Sequence, residues 1–336
     1  MAWRSTAYRV VRPLLFRIGP EAVHHAALAG VRVAGRLPAL GRLASGVADP
    51  VAAEPIELAG LRFRNRVGLA AGFDKDGVGI SGWAALGFGF VELGTVTPRP
   101  QAGNPRPRLP RLPEDEALIN RMGFNNAGAA ALSARIARAR GRLPPGLVIG
   151  VNVGRNRDGG EQDFAESASA VARVADYLAI NVSSPNTAGL RDLQGTDALA
   201  RLIGAVREAA PGRPVLVKLA PDLDADVRST LVRGVVAAGG AGVIVSNTST
   251  GRDGLRSSRA SEAGGLSGAP LRERALQAVA EARAAAGDGV VVIGSGGVGS
   301  AADARALIDA GADLVQLWTG MIYAGPALIG EAVAAC

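Results

Sequence analysis

Lysine is rare among the basic residues of this sequence, and both lysines stand where they could do chemistry. Among 37 basic residues only Lys75 and Lys218 are lysines, and every other one is an arginine. A lysine ammonium is a compact charge whose pKa shifts readily on burial, whereas an arginine guanidinium stays charged. Both lysines follow short apolar runs, so each needs a counter-charge or must lose its proton. A phosphate or an electron-rich cofactor ring would partner Lys218, unless the two lysines are an accident of composition.

Neutral polar residues follow the apolar runs in the same way. They are Thr95, Asn152, Asn181, Ser183, Ser184, Asn186, Ser246, Asn247, Thr248 and Thr319. Any one of them could be only a turn residue, because short polar side chains bond nearby backbone groups. Asp74 likewise could cap a helix. Taken together, many amides beside a cation suit a flat ligand that carries a carboxylate and forms several hydrogen bonds.

A glycine-rich run at residues 294–299 adds a candidate anion site. Its backbone N–H groups could hold a phosphate at the start of a helix, although the run could also be only a tight turn. The sequence lacks the acidic ribose ligand that follows a dinucleotide fingerprint. Both histidines, His24 and His25, lie in the N-terminal segment, and the sequence has no metal-ligand cluster. We therefore expect redox chemistry through a bound flavin rather than hydrolysis.

Eight short apolar runs alternate with alanine-rich helical stretches after residue 47. They cover residues 67–71, 89–94, 147–152, 178–182, 215–219, 242–246, 290–294 and 313–317, after a small hairpin at 56–58 and 61–63. Continuous apolar character is typical of parallel strands covered on both faces. The pattern predicts an α/β fold, a (β/α)8 TIM barrel whose loops after the strands meet at one rim. A doubly wound sheet is the alternative, but its glycine fingerprint does not follow the first strand.

Residues 1–46 form a basic segment with the pattern of amphipathic helices. They hold seven arginines and one acid, Glu21, and so contribute +6 of the net charge of +7. A second helix is predicted at roughly 21–36, and the apolar face of the first carries Trp3, Ala7, Val10, Val11, Leu14 and Ile18. We expect a helix pair that lies on an anionic membrane surface. The alternatives are a hairpin packed on the body and a nucleic-acid arm, and no binding motif supports the latter.

Composition bears on the compartment and on the domain division. The single cysteine, Cys336, excludes an intrachain disulfide framework, as is typical of a reducing, cytoplasmic compartment. No long apolar run lies near the N-terminus, so neither a transmembrane span nor a secretory leader is expected. We expect an amphipathic helical domain at residues 1–46 and a barrel domain at residues 47–336.

Six sequence strings resemble the class 2, quinone-dependent dihydroorotate dehydrogenase family in order and spacing. They are AAGFDKD (70–76), GTVTPRPQ (94–101), NRMGFN (120–125), NVSSPN (181–186), GGLSGAP (264–270) and GSGG (294–297). The resemblance implies FMN at the rim, oxidation of (S)-dihydroorotate to orotate in pyrimidine (UMP) synthesis, and a membrane quinone as electron acceptor. Ser184 matches the base that takes a proton from carbon 5 while a hydride leaves carbon 6 for the flavin. Class 1 enzymes have a cysteine there instead.

The same resemblance implies roles for further residues. Lys75 bridges substrate and flavin, and Lys218 lies beside the electron-accepting ring, where a positive charge stabilises the reduced flavin. The other cofactor positions are Ala71, Gly72, Phe73, Asp74, Thr95, Asn152, Asn181, Ser246, Gly268, Gly297, Trp318 and Thr319. The other substrate positions are Asn120, Arg121, Met122, Gly123, Phe124, Asn181, Asn186, Asn247 and Thr248. In two departures from the family, Trp318 replaces a usual tyrosine and Ser246 a usual threonine.

His24 and Arg106 correspond to residues of a quinone tunnel between the N-terminal helices and the barrel. An indole donates but cannot accept a hydrogen bond, so Trp318 puts the quinone contacts in question, and with them the width of the tunnel. The resemblance implies a peripheral, monotopic enzyme on the cytoplasmic face of the cell membrane, with no metal ion and no nucleic-acid partner. The residues leave two other functions open. One is an aldolase-type barrel in which Lys218 forms a Schiff base, and the other is a membrane-attached flavoprotein that only carries FMN.

Overall fold

The structure is a computed structural model that describes residues 2–47, 55–187 and 189–336, with side chains described from Thr6 onward. The helices are α1 (Ala2–Phe16), α2 (Pro20–Arg36), α3 (Pro38–Ser45), α4 (Ile80–Ala85), α5 (Ala129–Arg140), α6 (Gln162–Val171), α7 (Thr196–Ala209), α8 (Ala225–Ala237), α9 (Arg272–Ala286), α10 (Ala301–Asp309), α11 (Thr319–Ala324) and α12 (Ala327–Ala335). The strands are β1 (Ile56–Leu58), β2 (Leu61–Phe63), β3 (Val67–Leu69), β4 (Phe90–Val96), β5 (Arg111–Leu112), β6 (Ala117–Asn120), β7 (Val148–Val153), β8 (Tyr177–Asn181), β9 (Val215–Leu219), β10 (Gly242–Val245), β11 (Gly265–Gly268), β12 (Val291–Ser295) and β13 (Leu314–Leu317). Short 3-10 turns cover Pro113–Asp115, Arg191–Leu193 and Ala269–Leu271.

Eight parallel strands form a closed barrel, which confirms the predicted fold. In order around the barrel they are β3, β4, β7, β8, β9, β10, β12 and β13, and β13 pairs with β3 to close it. Each predicted run coincides with one of these strands to within two residues at either end. The predicted hairpin is also present, as β1 and β2. The largely apolar sequences of β4, β7 and β8 reflect burial along their whole length.

The barrel interior has an apolar part and a polar part. Phe90 of β4 and Leu216 of β9 belong to the apolar cluster near the end where the strands begin. Two residues further along the same strands stand Glu92, which is 0% exposed, and Lys218, which is 5% exposed. Because side chains two apart in a strand share a face, these charged groups also point into the barrel. The fold thus places a polar layer directly beneath the C-terminal rim.

A three-stranded antiparallel sheet lies beside the rim, and the sequence analysis did not predict it. Its order is β11-β6-β5, with Asn120 of β6 paired to Gly265 of β11. The sheet combines the excursion after β4 with the one after β10. Because these segments are far apart in the sequence, local periodicity gives no signal for their pairing. The pairing brings Asn120 to the rim.

Three helices precede the barrel, so the prediction of a helix pair is corrected. The third helix, α3, begins at Pro38, directly after Leu37 closes α2. Proline is favoured at the first position of a helix and disfavours helical backbone in the residue before it, which separates α3 from α2. Helix α2 packs so closely on α4 that a side chain at Gly82 would collide with the Val31 carbonyl. No helix in the described residues is both long and apolar enough to cross a bilayer.

The predicted apolar face of α1 is exposed. Val10 is 72% exposed and Leu14 is 60% exposed, whereas the place of Trp3 on this face lies outside the described side chains. In the described ranges, the strongly exposed large apolar side chains all lie in or beside α1–α3, with the exception of Val227. The packed-hairpin alternative describes α2, and α1 also packs on the body, since Tyr8 and Arg12 donate to the carbonyls of Ile322 and Tyr323 while the apolar face of α1 stays exposed. Helix α1 carries an apolar surface of the kind expected of an interfacial helix.

Candidate active site

A cavity of about 450 Å³ opens at the C-terminal rim of the barrel. It extends from the barrel interior past the antiparallel sheet to α2, which contributes Glu21 and His24 to its mouth. Its volume is usual for a small-molecule site. All but two of the predicted site residues line it, namely His24, Ala71, Gly72, Phe73, Asp74, Lys75, Thr95, Arg106, Asn120, Met122, Gly123, Phe124, Asn181, Ser184, Asn186, Lys218, Ser246, Asn247, Thr248, Gly268, Gly297, Trp318 and Thr319.

The two exceptions are Arg121 and Asn152. Arg121 follows Asn120 at the end of β6, and its guanidinium donates to the Glu262 carboxylate at 2.9 Å and to the Pro107 carbonyl at 2.8 Å. The side chain of Arg121 therefore points away from the cavity, because consecutive residues of an extended chain point to opposite sides and Asn120 points to the cavity. Asn152 is fully buried behind the cavity wall, where it supports residues that line the cavity.

A buried carboxylate organises the polar layer below the cavity. Glu92 accepts hydrogen bonds from Asn152 Nδ2 at 2.8 Å, Gln316 Nε2 at 2.7 Å and the Tyr177 hydroxyl at 3.0 Å. Burial and the adjacent carboxylate raise the pKa of Tyr177 well above its ordinary value, so the phenol stays a donor. Glu92 is thus held by three donors from three other strands.

Asn181 extends this network from the barrel interior to the rim. Its Nδ2 donates to Asn152 Oδ1 at 3.0 Å and to the Thr95 hydroxyl at 2.8 Å. Its Oδ1 accepts bonds from the Ser183 N–H and hydroxyl, both at 3.3 Å, and from Asn247 Nδ2 at 3.4 Å. Asn247 also donates to the Ser183 hydroxyl at 2.9 Å. These amides form one continuous network, which separate turn contacts would not produce.

Ser184 lies in the loop after β8 and is nearly buried in the cavity wall. Its hydroxyl oxygen accepts a 3.3 Å hydrogen bond from the backbone N–H of Asn186. The Asn186 side chain donates to Asn120 Oδ1 at 3.1 Å, which joins this loop to the antiparallel sheet. Within the described ranges no histidine or carboxylate bonds to Ser184.

The two lysines enter the cavity from different strands. Lys218 of β9 has no side-chain hydrogen bond or ion pair with any residue in the described part of the chain. Burial lowers its pKa, and the charge of Glu92 opposes that shift. Lys75 donates to the Gly72 carbonyl at 3.0 Å, and burial together with Arg108 lowers its pKa to about 8. Both ammonium groups can therefore bind an anion or an electron-rich ring.

Asp74 lines the cavity but bonds to its own loop. Its carboxylate accepts from the N–H groups of Val78 and Gly79, both at 2.8 Å, and from Trp83 Nε1 at 3.0 Å. Burial raises the pKa of Asp74 against these bonds. The contacts fix the turn that leads into α4, which is close to the capping role considered from the sequence.

Aromatic rings line the mouth of the cavity. Phe73 stands between His24 of α2 and Trp318, with ring centroids 5.0 Å and 5.1 Å away. Burial, and then the charge of Lys75, lowers the pKa of His24 to about 4, so this imidazole is neutral near physiological pH. The mouth is thus lined by uncharged rings on this side.

Ion pairs fasten α2 to the other side of the mouth. Glu21 pairs with Arg106 at 2.9 Å and with Arg108 at 3.3 Å. Arg108 is nearly buried and also donates to the Ala102 and Asn104 carbonyls. Arg106 was predicted as a site residue, but Glu21 and Arg108 were not, because the pairing joins segments far apart in the chain.

The loop after β12 presents backbone donors to the cavity. The Gly297 and Val298 residues line it, and their N–H groups donate to no acceptor in the described part of the chain. Gly297 has a φ of +71°, and a side chain there would collide with Arg272, so only glycine lets the backbone approach in this way. Converging free N–H groups suit a phosphate.

Three residues of the polar layer were not predicted from the sequence, namely Glu92, Gln316 and Tyr177. The signal for Glu92 was the same one that identified Lys218, a charged residue inside an apolar strand, here FVELGTV. Gln316 interrupts the apolar strand LVQL in the same manner. Polar residues within buried strands therefore indicate a site as well as those that follow the strands do, because burying a polar side chain without a partner costs free energy.

A closed parallel barrel with a cavity of charged and amide groups at its C-terminal rim defines a (β/α)8-barrel enzyme. The sequence profile of the family described as Dihydroorotate dehydrogenase matches residues 55–334. A protein of Polaromonas naphthalenivorans named Dihydroorotate dehydrogenase (quinone) is 46% identical, over 97% of this chain and 96% of its own length. A protein of the same name from Deinococcus radiodurans is 46% identical over 96% and 93%.

The solved structures agree with these relatives. The crystal structure of DHODH from Eimeria tenella in complex with ferulenol has a TM-score of 0.84 and 36% identity, and the match covers 96% of this chain and 93% of that one. The ligand-free form of the same enzyme has a TM-score of 0.80. The chain belongs to the dihydroorotate dehydrogenase family.

Proposed function

We propose that this protein oxidises (S)-dihydroorotate to orotate with bound FMN, in pyrimidine (UMP) synthesis, and passes the electrons to a membrane quinone. The observation that carries this proposal is that Lys75, Lys218 and Ser184 line one cavity. One cation can bind an anionic substrate, the other can lie against a cofactor ring, and the hydroxyl can take part in proton transfer. The names of the relatives support the substrate and the acceptor.

The residues present fit FMN. The free N–H groups of Gly297 and Val298 would hold its phosphate, and Lys218 would lie at its ring. Bound FMN would accept the hydride that leaves carbon 6 of the substrate. The buried charge of Glu92 opposes the loss of the Lys218 proton, and so favours the positive charge that the reduced ring needs.

The amide network and Lys75 would bind the substrate. Asn120, Asn186 and Asn247 face the cavity with donors and acceptors, as a flat ring with several carbonyl and N–H groups requires. Lys75 supplies the cation for the substrate carboxylate. Ser184 would take the proton from carbon 5. Serine is a weak base, so its own hydroxyl proton would have to pass to solvent as the carbon proton arrives. The Asn186 N–H bond to the Ser184 oxygen assists that release, because it stabilises negative charge on the oxygen.

The quinone would enter between α2 and the barrel. His24 and Arg106 line the mouth of the cavity, and the exposed apolar side chains of α1 and α3 suit contact with the headgroup region of a membrane. We therefore assign residues 1–46 to membrane contact and quinone access, and residues 47–336 to the FMN and orotate site. The protein would lie peripherally on the cytoplasmic face of the cell membrane.

One spectrum tests the activity. Purified protein should show flavin absorption bands, and these bands should bleach when dihydroorotate is added without oxygen. A protein without flavin bands would contradict the proposal and favour a Schiff-base barrel, which borohydride trapping at Lys218 would detect. Bands that persist with dihydroorotate would favour a protein that only carries FMN. Reoxidation of the bleached enzyme by a long-tailed quinone tests the acceptor.

A further inference from the structure

Arg191 forms a fork of hydrogen bonds that joins the loops at the rim. It lies in the 3-10 turn Arg191–Leu193, in the connection that follows β8. Its Nε donates to the Ser183 carbonyl at 3.0 Å, and its Nη2 donates to the Thr248 carbonyl at 3.0 Å. Its Nη1 donates to Asp222 Oδ2 at 2.8 Å. One planar guanidinium thus bonds to three segments, which follow β8, β9 and β10.

Asp222 is itself fixed by its neighbours. The Ser249 hydroxyl and the N–H and hydroxyl of Thr250 donate to its carboxylate. Burial alone would raise its pKa, but these bonds and Arg191 outweigh burial and hold the pKa below its ordinary value. The ion pair between Arg191 and Asp222 is about three-quarters buried, with side-chain exposures of 24% and 20%, so solvent screens it only in part.

The bonded carbonyls lie next to two residues of the site. Ser183 precedes Ser184, and Thr248 follows Asn247, while neither Arg191 nor Asp222 lines the cavity. We propose that Arg191, held by Asp222, is a positioning residue that fixes the Ser184 loop relative to the Asn247 loop. This inference rests on the proposed function, because it concerns the half of the reaction in which dihydroorotate reduces the flavin.

Loss of the three Arg191 hydrogen bonds should change the position of the Ser184 loop relative to the Asn247 loop. A glutamine at this position keeps a polar side chain but cannot reach three acceptors with the same rigid arrangement. A displacement of reacting groups by 1 Å can reduce a rate about 100-fold. Arg191→Gln should therefore slow flavin reduction at saturating dihydroorotate by about 10- to 100-fold. Arg191→Lys keeps the charge but offers one donor centre, so its rate of flavin reduction should lie between those of Arg191→Gln and the wild type.

The test measures the two half-reactions separately in the FMN-loaded protein. Stopped-flow reduction by dihydroorotate should slow in Arg191→Gln, whereas reoxidation by quinone and the FMN content should match the wild type. Arg201→Gln on α7 is the matched control, because Arg201 forms an exposed pair with Glu161 outside the cavity. The flavin of this control should be reduced by dihydroorotate at the wild-type rate.

Several outcomes would overturn the inference. Flavin reduction within twofold of wild type in Arg191→Gln would do so, and so would equal slowing of both half-reactions or loss of FMN, which indicates a merely structural role. If Arg191→Gln does not fold, Asp222→Asn is measured instead, and an unchanged reduction rate again overturns the inference. Failure of dihydroorotate to bleach the wild type would refute the proposed function rather than the role of Arg191.

Discussion

The Asn152 carboxamide of β7 donates a 2.8 Å hydrogen bond to the Glu92 carboxylate of the neighbouring strand β4, although Asn152 pairs in register with Gly94 and not with Glu92. An ionised carboxylate only accepts hydrogen bonds, so the amide must turn its nitrogen toward Glu92 and its oxygen toward the rim. Asn181 then donates to that oxygen and presents its own oxygen to Asn247. One buried charge therefore sets the direction of hydrogen bonds up to the site.

Replacing Glu92 by leucine should destabilise the barrel. Glu92→Leu leaves the buried donors of Asn152, Tyr177 and Gln316 without their acceptor. Each unsatisfied donor costs about 1–3 kcal/mol, so the free energy of unfolding should fall by about 3 kcal/mol or more. Urea denaturation of the FMN-loaded protein measures this change.

A double substitution serves as the control for this prediction. Glu92→Gln with Asn152→Asp moves the charge to the neighbouring strand and keeps side-chain size and the number of hydrogen bonds. The bond between the two positions reverses its direction, because the new amide at position 92 donates to the new carboxylate at position 152. The double variant should retain most of the stability that Glu92→Leu loses. Equal losses in the two proteins would show that charge placement, and not hydrogen bonding, holds the polar layer together.

Ser184→Ala should slow flavin reduction and leave cofactor binding intact. The substitution removes the hydroxyl that receives the Asn186 N–H bond but no backbone group of the loop. General base catalysis contributes about 100- to 10,000-fold, and the rate constant for reduction by dihydroorotate should fall within that range. Stopped-flow absorbance measures it, with quinone reoxidation of chemically reduced protein as the internal control. Reduction at the wild-type rate would exclude Ser184 as the base.

Acidic substitutions on α1 should weaken membrane binding. Val10 and Leu14 are strongly exposed on one side of this helix. Burying each side chain in the interface contributes roughly 1.5–3 kcal/mol, so Val10→Glu with Leu14→Glu should reduce affinity for anionic vesicles by about 100-fold or more. Vesicle sedimentation measures the bound fraction. Val227→Glu on α8 is the control, and the membrane assignment fails if it weakens binding equally.

His24 should make the protein sensitive to acid. Its pKa is about 4 in the folded chain and 6.5 ordinarily, mainly because of burial. Between these pH values the unfolded chain binds a proton that the folded chain does not, so stability falls as the pH decreases from 6.5 to 4. The contribution is about 3 kcal/mol.

His24→Phe should remove this dependence while keeping a ring against Phe73. We expect the wild-type free energy of unfolding, minus that of His24→Phe, to decrease by about 3 kcal/mol on acidification through this range. Denaturant titrations at several pH values measure the difference. A difference that stays constant with pH would mean that His24 is not held neutral by its surroundings.

Local patterns predicted the barrel strands and most of the cavity residues. Buried parallel strands read as apolar runs, so their number and bounds follow from residue type alone. Lys218 was found because a charge at the end of the run VLVKL requires a partner. The strings around Ser184 and Gly297 carried the family resemblance. These signals lie within short stretches of sequence, so they can be recognised without the tertiary structure.

Side-chain direction and long-range pairing needed the tertiary structure. Asn120 and Arg121 are neighbours in sequence, yet the β6–β11 pairing brings only Asn120 to the cavity. Asn152 lies behind the wall because it bonds Glu92 on the adjacent strand. Arg191 reaches Thr248 across 57 positions of sequence. The sequence by itself determined the strands, the family and the set of reactive groups, whereas barrel closure decided which of them meet. The reason is physical, since contacts between distant segments depend on strand register, which no local pattern encodes.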